Sequence, residues 1–107
     1  MTTKWLTVIL SRSVSQVMLD DLRAILPAGA INVFVNQLDD THYATLECLQ
    51  AEQNCALIAS AIVVWRQLGH VRHICYRKGD VLREEQDATQ FQLFTLLKTH
   101  RALLQIS

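Results

Sequence analysis

The fold is decided by one apolar run, Cys55-Ala-Leu-Ile-Ala-Ser-Ala-Ile-Val-Val-Trp65. Ten of its eleven residues are apolar, and Gly69 follows shortly after its end. A helix that is apolar nearly all the way round has to be buried on several sides, and a glycine beyond its last turn can adopt the left-handed conformation that ends it. Because a bilayer span needs about 20 apolar residues, the run predicts the central helix of a water-soluble core and no membrane insertion.

The composition predicts one folded domain over residues 1–107, because half of the chain is apolar and it holds one proline and three glycines. Ten basic and ten acidic residues give a formal charge of zero, whereas nucleic-acid binders usually carry a basic excess. A basic stretch nevertheless lies between positions 72 and 83 and consists of Arg72, Arg77, Lys78 and Arg83. Nucleic-acid binding through this stretch therefore stays open as an alternative.

The three cysteines, Cys48, Cys55 and Cys75, are an odd number without the close spacing of a metal site. Each lies among apolar residues, which predicts buried thiols in a reducing compartment. The first residues show no apolar segment that ends in a small-residue cleavage site. Together these features predict a cytoplasmic protein without disulfides.

The residues before the central helix predict a strand, a helix and a hairpin. Residues 4–10 are β-branched and apolar, as in a central strand covered on both faces. Residues 14–26 place their apolar side chains on one helical stripe, with Ser13 and Gln16 spaced as a capping box. Residues 31–36 and 42–48 both alternate with period two, which predicts an antiparallel hairpin; in the alternative, the central helix already begins near Ala44.

The residues after the central helix predict a strand over 71–76 and a turn near Gly79, while residues 81–86 fit no single pattern. Asp87 with Gln90 is spaced as a helix cap, and the apolar positions from Phe91 to Ile106 cover a wide arc of a final helix. Such a helix has to pack across its own sheet or against a partner. The element order predicts an α+β fold, a ferredoxin-like βαββαβ sandwich with an additional C-terminal helix at about residues 87–106.

The segment Ala28-Gly-Ala-Ile-Asn-Val33 follows an amphipathic helix and opens a strand. It resembles the helix-to-strand junction of ACT regulatory domains. That resemblance implies a ferredoxin-like module that associates side by side and binds amino acids or other small ligands at the interface. Where ACT domains carry an acidic residue followed by Pro-Gly, this chain has Ser11-Arg-Ser-Val14, and without the glycine a ligand cannot approach that backbone as closely.

The sequence contains none of the common catalytic motifs: no glycine-rich phosphate loop, no HExxH and no GxSxG. His70, His73 and Cys75 form its only cluster of metal-ligating residue types, and His73 shares a strand face with Cys75 alone. Two ligands are too few for a closed site unless His42 or Cys48 completes it. We therefore predict no metal, no cofactor and no catalytic residue; a small enzyme with His73 or His42 as acid/base is a second alternative.

The predicted sheet has one face toward the helices and one open face. Alternation assigns to the open face Trp5, Thr7, Ile9, Asn32, Phe34, Asn36, Tyr43, Thr45 and Glu47, with Ile74 and Tyr76 as further members. Such a face could stack nucleic-acid bases, form a dimer interface or ligand pocket, or lie under the C-terminal helix.

The function predicted from these features is that of a small non-enzymatic binding or regulatory module. It would act as a homodimer through self-association, with a small ligand at the sheet face or the dimer seam. The aromatic residues would supply contact area and the arginines would bind an anion. The candidate ligand or interface residues are Trp5, Arg12, Phe34, Tyr43, Arg72 and Tyr76.

Overall fold

A computed structural model describes residues 4–36, 39–85 and 87–107. Gln37 and Leu38, in the predicted hairpin connection, and Gln86, the last residue of the stretch 81–86, lie outside the described residues. The elements in chain order are β1 (Trp5–Leu10), α1 (Arg12–Ile25), β2 (Ile31–Val35), β3 (Ala44–Leu49), α2 (Glu52–Gln67), β4 (Ile74–Lys78), β5 (Val81–Glu84), α3 (Gln90–Leu97) and β6 (Leu103–Ile106). The strands form one mixed sheet in the order β2-β3-β1-β6-β4-β5, so the fold is α+β.

The C-terminal residues correct the predicted architecture. The helix expected over 87–106 ends at Leu97, and residues 103–106 form a strand in the middle of the sheet. This strand, β6, lies parallel to β1 and antiparallel to β4. In a four-stranded βαββαβ sheet, β4 would pair directly with β1; here β6 separates them, so the sheet is not the predicted ferredoxin-like one. Arg101, with φ of 53°, makes the turn between α3 and β6.

The N-terminal half follows the sequence pattern closely. Strands β2 and β3 pair as an antiparallel hairpin, which rules out a central helix that begins near Ala44. Helix α1 buries Val14, Met18 and Leu22 along the predicted stripe. Its N-cap, however, is Ser11, whose hydroxyl accepts from the backbone N–H of Val14 at 3.4 Å, and the predicted capping box at Ser13 does not form. The cap lies two residues earlier because the chain turns into the helix as soon as β1 ends.

Helix α2 is the predicted central helix, and Gly69 beyond its end has φ of 82°, in the left-handed region. One side of the helix is fully buried and includes Cys55, Ile58 and Ile62. The expectation of burial on several sides is only partly met, because Leu68 beyond the last turn is exposed and Val64 is 47% exposed. The apolar groove between α1 and α2 on that side remains open to solvent.

The molecule has two layers, and all three helices lie on the same face of the sheet. Alternate strand residues such as Val8, Leu46 and Leu104 are buried with side chains of α1, α2 and α3 in one core. The register places Ile74 opposite Ile106 and Tyr76 opposite Leu104, so both belong to the helix side, contrary to their predicted place on the open face. Because α3 packs beside α2, no described helix covers the other face, and the prediction that β1 is covered on both faces is wrong.

Candidate functional site

The open sheet face carries a cross-strand row in which two apolar residues alternate with two polar ones. Phe34 lies opposite Thr45, Thr45 opposite Ile9, and Ile9 opposite Gln105. Phe34 is 56% exposed, and Leu82, on β5, is about as accessible. These two exposed apolar side chains lie on the opposite edge strands of the sheet, so they do not form one continuous apolar patch.

Two of the predicted aromatic contacts of this face, Trp5 and Phe34, do not meet. Trp5 pairs with Leu49 at the beginning of β1, whereas Phe34 lies in the row of Ile9, two strands away and four residues further along β1. At about 3.3 Å per residue, the separation along the strand alone is roughly 13 Å. Trp5 and Phe34 therefore do not form one continuous aromatic platform for stacked bases.

Arg12 and Tyr43 are brought together at the beginning of α1. The guanidinium carbon of Arg12 lies 4.6 Å from the centroid of the Tyr43 ring, and its Nε donates to Asp40 Oδ1 at 2.9 Å. The backbone carbonyl of Asp40 also accepts from the N–H of Arg12. This exposed contact fixes the loop before β3 against α1, and it leaves the charge of Arg12 already partnered.

Arg12 and Arg72 line one surface cavity of about 610 Å³ at the carboxyl ends of the parallel strands β1 and β6, together with Ser11, Ser13, Gln16, Asp40, Thr41, His73 and Ser107. Clefts at the carboxyl ends of parallel strands are common ligand sites. Asp40, however, offsets the charge of Arg12, and His73 Nδ1 contacts Glu84 Oε1 at 2.5 Å. The predicted anion site is thus assembled geometrically, but Asp40 offsets one of its two arginine charges.

The histidines and cysteines are dispersed rather than clustered. His42 Nδ1 lies 2.9 Å from Asp39 Oδ2, and this hydrogen bond is the main cause that lowers the pKa of Asp39. Burial raises the pKa of Cys48 to about 12, and burial also raises the pKa of Cys75. Burial therefore disfavours, at both positions, the thiolate form that a nucleophile requires. No group of three metal-ligating side chains occurs among the described residues.

Tyr76 lines a different cavity, on the helix side between β4 and α3. The cavity measures about 290 Å³ and is enclosed by Tyr76, Glu85, Phe91, Gln92, Thr95 and Leu96. Sequence reasoning missed Glu85 because it lies in the stretch 81–86, which follows no period. Phe91 was recognised only as an apolar position of the final helix.

The β2 edge, defined here as the free side of residues Ile31–Val35, was also missed as a site. Antiparallel ladders direct alternate residues toward and away from the partner strand. Because Asn36 donates to Tyr43 and Leu49 donates to Ala30, the even-numbered residues of β2 face β3. The N–H and C=O groups of Ile31, Val33 and Val35 therefore point away from the sheet.

No family model, no curated protein and no solved structure matches this chain. Within the described ranges, none of the helices combines the length and the apolar character that a membrane crossing requires.

Proposed function

We propose that this protein is a small non-enzymatic binding module that acts through self-association, with two copies joined along their β2 edges. The observation that carries this proposal is the β2 edge itself. It presents three residues with outward backbone groups, Ile31, Val33 and Val35, and it contains neither a charged residue nor a proline. Natural proteins usually protect such edges with charges, prolines or bulges.

The β2 edge is complementary to its own copy. An antiparallel pairing centred on Val33 places Val33 opposite its counterpart and Ile31 opposite Val35 of the second copy. Each of these pairs consists of residues with outward N–H and C=O groups, so about six backbone hydrogen bonds can form. The cross-strand side-chain pairs on the helix side are all β-branched, which is favourable in antiparallel sheets.

The same pairing would extend the open face across the dimer seam. Phe34 lies opposite Asn32 of the second copy, and the two Phe34 side chains become diagonal neighbours at roughly 7–8 Å. A flat apolar ligand at the seam would contact both rings, which gives the predicted small-ligand site a location. The three free cysteines accord with the cytoplasmic location that the sequence predicts.

The experiment compares Val33→Pro with Leu82→Pro by sedimentation velocity over a range of concentrations. Both residues lie on an edge strand with the N–H directed away from the sheet, where proline is tolerated. We expect the wild-type chain to be a dimer, Val33→Pro to be a folded monomer because it loses the central pair of hydrogen bonds, and Leu82→Pro to remain a dimer.

A third variant separates edge pairing from contact through the sheet face. Phe34→Glu leaves every backbone donor and acceptor of β2 in place, so it should weaken the dimer without abolishing it. If Phe34→Glu gives a monomer while Val33→Pro stays dimeric, association runs through the face and not through the edge. A monomeric wild-type chain at all concentrations would end the proposal.

The alternatives receive no comparable support from the geometry. Strand alternation places Arg77 on the open face and Lys78 on the helix side, and Arg83 lies opposite Tyr76, also on the helix side. The basic stretch is therefore divided between two faces. His73 and His42 each contact an exposed carboxylate, which is a common surface pairing as well as a catalytic one.

A further inference from the structure

The cavity between β4 and α3 combines two aromatic side chains with one carboxylate. Tyr76 forms its sheet wall, and Phe91, Thr95 and Leu96 form its helix wall. Phe91 is 74% exposed, although it stands two residues before the fully buried Leu93. A phenyl ring held so far out of the core at the mouth of a cavity is available to a ligand.

The helix wall of the cavity is fixed by local hydrogen bonds. Thr89 caps α3 through a complete capping box: its hydroxyl accepts from the N–H of Gln92, and the Gln92 side chain accepts from the N–H of Thr89. The Thr95 hydroxyl donates to the carbonyl of Phe91 at 2.9 Å. These hydrogen bonds fix the backbone of α3 at Phe91, so the first turn of the helix that carries the ring is formed before any ligand arrives.

The carboxylate of Glu85 distinguishes this cavity from a merely apolar groove. Its backbone N–H donates to the carbonyl of Ile74 at 2.8 Å, which anchors the residue beside β4. Its side chain forms no ion pair or hydrogen bond with another described residue, whereas the neighbouring Glu84 contacts His73. Arg83 lies on the same side of β5, opposite Tyr76, but it does not line the cavity. A half-buried carboxylate at the rim of a partly apolar cavity, outside an ion pair with any described residue, is matched by a cation.

The two rings also make no cation–π contact with a described residue, although Arg83 lies opposite Tyr76 in the strand ladder. The cation–π contacts among the described residues are those of Arg12 with Tyr43 and of Lys98 with Phe94. Neither Tyr76 nor Phe91 takes part. Aromatic faces beside a carboxylate are the arrangement by which proteins recognise quaternary ammonium groups.

We propose that this cavity binds a small organic cation, a quaternary or methylated ammonium compound, between Tyr76 and Phe91 with Glu85 as counter-charge. The volume of about 290 Å³ is at the lower end of the range for ligand sites and suits a compact head group with a short tail. The cavity lies at the opposite end of the sheet from β2, so the site is independent of the β2 edge.

The test titrates the full chain with choline and, in parallel, with its uncharged isostere 3,3-dimethylbutan-1-ol. Binding is monitored through the backbone amide chemical shifts in NMR spectra. We expect saturable shifts at β4 and α3 with choline, and an affinity roughly threefold to thirtyfold above that of the alcohol, which is the range of a cation–π contact with partial desolvation. Equal affinities for the two probes, or the absence of saturable shifts at these elements, would overturn the proposal.

Two pairs of variants assign the interaction to its residues. Glu85→Gln and Phe91→Leu should each weaken choline binding at least about threefold, while Glu84→Gln, one residue away on the other side of the sheet, should bind as the wild type does. A loss in Glu84→Gln equal to that in Glu85→Gln would refute the assignment. Val33→Pro should bind choline normally, so failure of the β2-edge dimer and failure of this site are separate results.

Discussion

The two edges of the sheet are built differently, although both end in short antiparallel hairpins. The β2 edge consists of Ile-Asn-Val-Phe-Val, and the β5 edge of Val-Leu-Arg-Glu. Val35 and Val81 are similarly exposed, at 50% and 59%, so the amount of apolar surface does not distinguish the edges. The distribution of charge does.

Self-pairing illustrates the difference. Glu85 donates to Ile74, so by ladder alternation Leu82 and Glu84 direct their backbone groups outward. An antiparallel pair of β5 strands would then be centred on Arg83 and would place two arginines directly opposite each other, which is destabilising. The same operation on β2 places two valines opposite each other. Like charges therefore disfavour self-pairing of the β5 edge, whereas no charge opposes self-pairing of the β2 edge.

The largest effect is expected from a substitution in the hydrophobic core, on which both edge strands depend. Ile62 of α2 is fully buried in the common core, and an unpaired carboxylate there costs several kcal/mol, a large part of the roughly 5–15 kcal/mol that stabilises a domain. Ile62→Asp should therefore fail to fold, as followed by circular dichroism and thermal melting. The matched control is Val64→Asp on the exposed side of the same helix, which should fold. A cooperatively melting Ile62→Asp variant would contradict the buried position of α2.

An intermediate effect is expected when the protection of β5 is removed. In the double variant Arg83→Val/Glu84→Val, β5 becomes an uncharged apolar edge like β2, and the like-charge contact of a β5 pair disappears. We expect a second association interface and therefore species larger than the dimer in sedimentation velocity. Adding Val33→Pro should reduce those species to a dimer joined through β5. A double variant that sediments as the wild type does would show that charge is not what protects β5.

The smallest effect concerns the two ends of the sheet within a single molecule. Cys48 lies on β3 beside β2 and is fully buried, whereas Cys75 lies on β4 beside β5 and is half-buried. With its pKa raised to about 12, roughly one Cys48 thiol in ten thousand is ionised at pH 8. Iodoacetamide at pH 8 should therefore modify Cys75 before Cys48, faster as the pH rises toward 9, as read by peptide mass spectrometry. The reverse order would mean that the β2 end of the sheet opens more readily than the β5 end.

Periodicity in the sequence predicted most of the N-terminal half. Helix α1 and the β2–β3 hairpin follow a clear period of 3.6 or two, whereas β1 and α2 are predicted by continuous apolar runs; in β1, β2 and β3 the helix-facing residues are assigned correctly, although β1 is not covered on both faces. The missed strand β6 has four residues, a length at which helix and strand patterns cannot be told apart. The turn before it is made by Arg101 in a left-handed conformation, and no glycine or proline marks the break.

The candidate sites depend on information that a single sequence does not contain. Alternation over Ile31–Val35 predicts a strand, but only the order of strands in the sheet makes it an edge. The sequence predicts Arg12 and Arg72 as anion-binding residues, and the two do line one cavity. The contact of Arg12 with Asp40, however, follows only from the fold. Glu85 and Phe91 come together through the packing of α3 against β4, which no local pattern encodes.

The central position of β6 has a consequence for the order of events in folding. Residues 103–106 follow β4 and β5 in the chain, yet they separate β1 from β4. Strands β1 and β4 are antiparallel to each other, since β6 is parallel to one and antiparallel to the other; without β6 they can pair directly in the four-stranded arrangement that the βαββαβ order favours. We expect this pairing to form first and to act as a kinetic trap, because β6 has to displace it through contacts nearly a full chain length apart. Refolding should accordingly show a slow phase that is lost when β6 is deleted.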